Sequence, residues 1–156
     1  MSATKISVKK AGQFVGHKAS IFALEKASST RNFFSADGNG LVAKWDLANP
    51  NTAHAVAQIP ANVFSLCYLE ESNKLAVGQM LGGVHLIDLN KKLATLNLDL
   101  GKQSIFDLKQ QPHADLLFAA TKEGTLCVLN IHSGKLENTV KISEKSLRSL
   151  DIHPGK

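Results

Sequence analysis

The chain has 156 residues, 44% of them hydrophobic and 20% charged, and a mean hydropathy of −0.05, a balance that supports a core and excludes wholesale disorder, collagen-like repeats and coiled coils. A net charge of +5 suggests nucleic acid, but only Arg31 and Arg148 are arginines and the lysines are scattered, the pattern of a solvated face, so nucleic acid is disfavoured as a partner. No run approaches the ~18 apolar residues of a membrane span, the start Met1-Ser-Ala-Thr-Lys5 carries no secretory signal, and Cys67 and Cys127 lack C-x-x-C spacing, so a cytoplasmic chain with no membrane partner is expected.

In chain order, the first predicted strands are Ser20-Ile21-Phe22-Ala23-Leu24, Phe34-Ser35-Ala36-Asp37 and Val42-Ala43-Lys44-Trp45-Asp46, with the turn Asp37-Gly38-Asn39-Gly40 between the last two. The same sequence of elements returns as Asn62-Val63-Phe64-Ser65-Leu66, Leu75-Ala76-Val77-Gly78 and Val84-His85-Leu86-Ile87-Asp88. It returns again as Ser104-Ile105-Phe106-Asp107-Leu108, Phe118-Ala119-Ala120-Thr121 and Leu126-Cys127-Val128-Leu129-Asn130. A last echo is Ser146-Leu147-Arg148-Ser149-Leu150. Leucines at 24, 66, 108 and 150, glycines at 40, 82 and 124, and phenylalanines at 22, 64 and 106 all step by 42 residues.

The first three strands of each period are nearly continuous apolar runs, as in a sheet covered on both faces. The fourth alternates, Leu96, Leu98 and Leu100 against Asn97 and Asp99, and Val140 and Ile142 against Lys141, which puts one face in water. A helix-free unit of four short strands repeated at 42 residues predicts an all-β chain of β-propeller blades, each of four antiparallel strands.

Gly16-His17, Ser20 to Leu24, Phe34 to Gly38 and Trp45-Asp46 together resemble a WD-repeat. The resemblance extends over essentially the whole chain, with Ile87-Asp88 and Leu129-Asn130 in place of Trp-Asp. It implies a buried, structural hydrogen-bonded set of His17, Ser35 and Trp45. Asn39 stands in the slot of the turn acid, and Asp37 lies two residues earlier. It also implies an outer closing strand over 4–15, blades over 16–59, 60–101 and 102–143, and the first strand of a fourth blade over 144–156. At about 3.7 periods, the chain is expected to be the N-terminal part of a longer propeller or a self-assembling half. Self-association or the remaining blades are therefore expected to cover its open faces.

No chemistry-bearing motif rises from the rest. The histidines at 17, 54, 85, 113, 132 and 153 stand at no metal-ligand spacing, and no phosphate loop or G-x-S-x-G elbow is present. No catalytic residue, metal or cofactor is predicted. By resemblance, the loops entering each innermost strand and the turns between second and third strands share one face. That face contributes Lys18, Asn62, Lys102, Gln103 and Lys145 from the loops, and Met80, Leu81 and Lys122 from the turns, as candidate partner-binding residues. The function implied is a non-catalytic scaffold for protein or peptide partners. The alternatives are a propeller hydrolase or lactonase with a channel-mouth site, and a basic nucleic-acid-binding module.

Overall fold

A computed structural model describes residues 6–153 and places three four-stranded antiparallel sheets along the chain. The first holds β1 (Ile21–Lys26), β2 (Asn32–Asp37), β3 (Leu41–Asp46) and β4 (Ala53–Gln58). The second holds β5 (Val63–Leu69), β6 (Lys74–Gln79), β7 (Gly83–Asp88) and β8 (Leu93–Asp99). The third holds β9 (Ile105–Gln110), β10 (Leu116–Thr121), β11 (Thr125–Asn130) and β12 (Lys135–Lys141). Strands pair in chain order within each sheet. β1 lies beside β5 and β5 beside β9, so the first strand of each sheet is innermost and the sheets are arranged as propeller blades.

The 42-residue glycine series has a steric cause. Gly40, Gly82 and Gly124 have φ of 82°, 89° and 75°, and their carbonyls accept the backbone N–H of Ile59, Leu100 and Ile142, each at 2.9 Å. A Cβ on Gly82 would lie 1.5 Å from the Gly101 carbonyl oxygen. Only glycine combines the left-handed conformation with that approach, which ties each second hairpin to the exit of its fourth strand.

The core is two apolar layers, one between each pair of neighbouring sheets. Ala23, Phe34 and Val42 of the first sheet meet Leu66, Leu75 and Val77 of the second. Cys67, Ala76 and Leu86 of the second meet Ile105, Leu108 and Leu117 of the third. Sheets covered on both sides need apolar residues on both faces, which is why their strands read as unbroken apolar runs.

Three expectations differ from what is seen. β12 is exposed along its whole length instead of alternating, because no further sheet packs on that side of the third blade among the described residues. Over 6–15 no strand forms, residues 4 and 5 lying outside the described chain. Over 144–153 none forms either, and 154–156 lie outside the described chain. The first segment is expected to close the ring onto the last blade and the second to open a fourth blade, and among the described residues neither finds a sheet edge to join.

Candidate functional site

The first blade holds a closed chain of polar side chains. His17 Nδ1 lies 2.8 Å from Asp37 Oδ2, His17 Nε2 lies 2.6 Å from Ser35 Oγ, and Trp45 Nε1 donates to the same Oγ at 2.6 Å. An indole N–H can only donate, so the Ser35 hydroxyl accepts from Trp45 and donates to His17 Nε2. His17 then carries its proton on Nδ1 and donates to Asp37, and every group is satisfied. Ser35 and Asp37 are two residues apart on β2 and so point to the same side. The set is closed off from solvent, with Ser35, Asp37 and Trp45 all buried. It pins the segment before β1 to β2 and β3, and Phe14 adds edge-on contacts to Phe33 at 5.1 Å and Trp45 at 5.6 Å.

The turn acid is Asp37, which corrects the placement of Asn39 in that slot. Asn39 sits in the hairpin, off the pleat, and contributes backbone instead. Its N–H donates to Asp37 Oδ1 at 2.9 Å, alongside that of Leu41 at 3.0 Å, and its carbonyl accepts from Gln58 Nε2 at 2.7 Å. Burial works against a charge on Asp37, but the hydrogen bonds from His17, Leu41 and Asn39 outweigh it and hold the carboxyl below its ordinary range. In the second blade the places of His17, Ser35, Asp37 and Trp45 are taken by Ile59, Val77, Gln79 and Ile87. Three of the four positions become apolar together, so Ile59, Val77 and Ile87 leave no such chain of buried donors and acceptors to complete.

A second 42-residue series closes the turns after each third strand. Asp46 Oδ1 accepts the N–H of Ala48 at 2.9 Å, and Asp88 Oδ1 accepts those of Asn90 and Lys91, both at 2.9 Å. Asn130 Oδ1 does the same for His132 and Ser133 at 3.0 and 2.8 Å. The acid of the Trp-Asp pair thus acts as an Asx-turn former, a task asparagine also performs.

Three equivalent bonds bring the two loop families together on one face. Gly38 N donates to Ser20 O, Met80 N to Asn62 O and Lys122 N to Ser104 O, each at 2.9 Å. Lys18, Lys102 and Lys145 are exposed on the entering loops and Lys122 on a turn. None of the four has an ion-pair partner among the described residues. Asn62 is half-buried. Gln103 is spent internally, its Nε2 donating to Leu100 O at 2.8 Å. Met80 and Leu81 are 39% and 58% exposed.

The same face carries a stripe that sequence reading used only as a repeat marker. Phe22 meets Phe64 edge-on at 5.1 Å, Phe64 meets Phe106 at 5.7 Å, and the Arg148 guanidinium lies 4.5 Å from the Phe106 ring centre. Phe22 sits against the hairpin, since a Cβ on Gly38 would come within 3.0 Å of its ring. It is 49% exposed. The steps from 22 to 64 to 106 to 148 are uniform, so register alone identifies the stripe. Side chains further down the innermost strands reach past their own blade: Glu25 Oε1 accepts the N–H of Tyr68 in the second blade at 3.1 Å, and Asp107 Oδ2 that of Leu150, in the segment after β12, at 2.7 Å.

A groove of about 540 Å³ lies away from this face between outer strands, lined by Lys44, Trp45, His54 and Lys92 among others. Among the described residues no group of three His, Cys, Asp or Glu side chains could hold a metal ion, and no helix is long and apolar enough to cross a membrane.

No family model matches the chain. It is 26% identical over 126 residues to the transcription factor unc-37 of Caenorhabditis elegans, a match that takes in 74% of this chain and 21% of that protein. The chain thus spans about a fifth of that relative's length. Its fold is similar to the structure of U3-55K, with a TM-score of 0.78 at 14% identity over 85% of this chain and 42% of the other. It is likewise similar to the RRP9 WD40 repeats, with a TM-score of 0.75 at 15% identity and the same coverages. In fold, the chain is a run of β-propeller blades similar to those of WD-repeat proteins.

Proposed function

We propose that the chain is a non-catalytic interaction scaffold that takes a peptide or protein segment on the face bearing the entering loops and second hairpins. The observation that carries this reading is the apolar ground of Phe22, Met80 and Leu81, exposed on a face rimmed by lysines. Exposed apolar clusters with a charged rim are the usual anatomy of an interface core. The test is binding of labelled peptides by the chain and by Met80→Ala/Leu81→Ala. Loss of binding in the double variant, with no change for Lys135→Ala on the outer strand, is expected. Equal binding by all three proteins would overturn the reading. A cytoplasmic setting belongs to the same proposal.

A second reading concerns the two end blades. Leu24, Leu66 and Leu108 share one register position and are 67%, 4% and 0% exposed. What covers the latter two is the face of a preceding blade, so the first blade offers a ready seat for another such face, from a second copy or from further blades. Residues 144–153 open a fourth blade in this reading. Light scattering across concentrations tests it, with a monomer at every concentration excluding the second copy.

A further inference from the structure

We propose that the Phe22–Phe64–Phe106 stripe and Arg148 form one recognition unit for acidic peptides, in which Arg148 holds a peptide carboxylate and the aromatic stripe seats an apolar side chain further along the same extended peptide. This rests on the scaffold reading and names the chemistry of the partner.

Arg148 supplies the specific element. Its guanidinium carbon lies over the Phe106 ring, 4.5 Å from the ring centre, a cation–π contact that restricts the side chain. Arg148 is exposed and makes no hydrogen bond or ion pair among the described residues. A planar fork restricted by an aromatic ring loses little freedom when it takes a carboxylate in two parallel hydrogen bonds. Phe22, at the far end, is half-exposed and has its neighbour Phe64 edge-on at 84°, leaving ring surface for an aromatic or aliphatic anchor. The distance between the two ends is spanned by two inter-blade steps, so the ligand must be extended across the blades.

The charge around the stripe agrees in sign. The loops and hairpins of this face and the segment after β12 carry Lys18, Lys102, Lys122, Lys145 and Arg148 against Asp37, Asp99, Glu123 and Glu144; Asp37 is buried against His17 at 2.8 Å and Glu144 is engaged by Lys141 at 3.6 Å. The surplus is positive, which favours an acidic partner in encounter and in register. A single-stranded nucleic acid fits less well. The rings touch one another at 5.1 and 5.7 Å, which leaves no slot for a base to stack between them.

The test uses the whole chain and fluorescein-labelled peptides carrying one phenylalanine flanked by aspartates, by asparagines or by lysines. The aspartate peptide is expected to bind about tenfold more tightly than the asparagine peptide. Arg148→Gln should abolish that difference and leave the asparagine peptide unchanged. Phe22→Ala should weaken both, and because both side chains are exposed neither variant threatens the fold. Equal affinity for aspartate and asparagine peptides, lost on Met80→Ala/Leu81→Ala, would overturn the acidic preference while leaving the scaffold reading intact. No peptide binding at all would remove both. Displacement of the aspartate peptide by oligouridine with a steep salt dependence would also overturn the proposal, in favour of RNA.

Discussion

Asp107 reaches across to the next repeat and accepts the backbone N–H of Leu150 at 2.7 Å. With the bond from Leu147 N to Thr121 O at 3.0 Å and the Arg148–Phe106 contact, it seats residues 147–150 on the third blade although they belong to no sheet. Replacing Asp107 by alanine should release the segment. Amide exchange at Leu150 is expected to quicken by a factor of about ten, the worth of a charge-assisted bond in a half-buried place, while amides of β1 to β8 keep their protection.

The polar chain of the first blade depends on one hydroxyl. Ser35→Ala leaves the Trp45 N–H and one nitrogen of His17 buried and unpaired, and should cost about 1–3 kcal/mol in denaturant unfolding. Ser35→Thr keeps the hydroxyl and should lose less.

Acid should weaken the fold in part through Asp37. Its folded carboxyl titrates below the ordinary value, so its contribution is fully present above the unfolded value of about 3.9 and is lost as pH falls through the folded one. Asp46 and Asp88 shift the same way, chiefly through hydrogen bonds from the backbone of Ala48 and Lys91. Glu25 opposes them: burial raises its carboxyl despite the bond from Tyr68, so its penalty is relieved in acid. Denaturation midpoints followed from neutral pH down through pH 4 should fall, and Asp37→Asn should flatten that fall.

Both thiols should be silent in the folded chain. Burial, with the charge of Glu25 nearby, pushes Cys67 up to about 11, and burial raises Cys127. A disulfide reagent at mildly alkaline pH should therefore label them only as fast as the chain opens. Rapid labelling of either in native buffer would contradict this packing.

Gly82→Ala is expected to be among the most damaging single methyl additions. It combines φ of 89° with a carbonyl oxygen 1.5 Å from the new Cβ, and should cost more than the roughly 1 kcal/mol of a strained backbone alone. Thermal unfolding of this variant beside Gly12→Ala, where the added Cβ meets nothing within 4 Å, measures the difference.

The repeat was legible because its markers are forced by geometry: Gly40, Gly82 and Gly124 stand where no side chain fits, and Leu66 and Leu108 where a neighbouring blade closes over them. The place of Asn39 was misread because it was counted along the turn, whereas the pleat of β2 puts Asp37 on the side of Ser35. The aromatic stripe was visible as a spacing, but ring contact across blades depends on how sheets fan out, which no single period encodes. The exposure of β12 depends wholly on what lies beside it, so the alternation of Val140 and Ile142 about Lys141 could not predict it.

Each blade touches only its neighbours, and the polar chain sits in the first alone. The array therefore behaves as a short stack with one clamped end, in which coupling between layers sets the order of melting. The third blade, with a naked outer strand and one contiguous partner, is the place where opening starts, and the boundary between folded and unfolded chain should travel from Lys141 toward Ile21. A protease present during mild heating would record that travel as a ladder of shrinking fragments sharing the first blade.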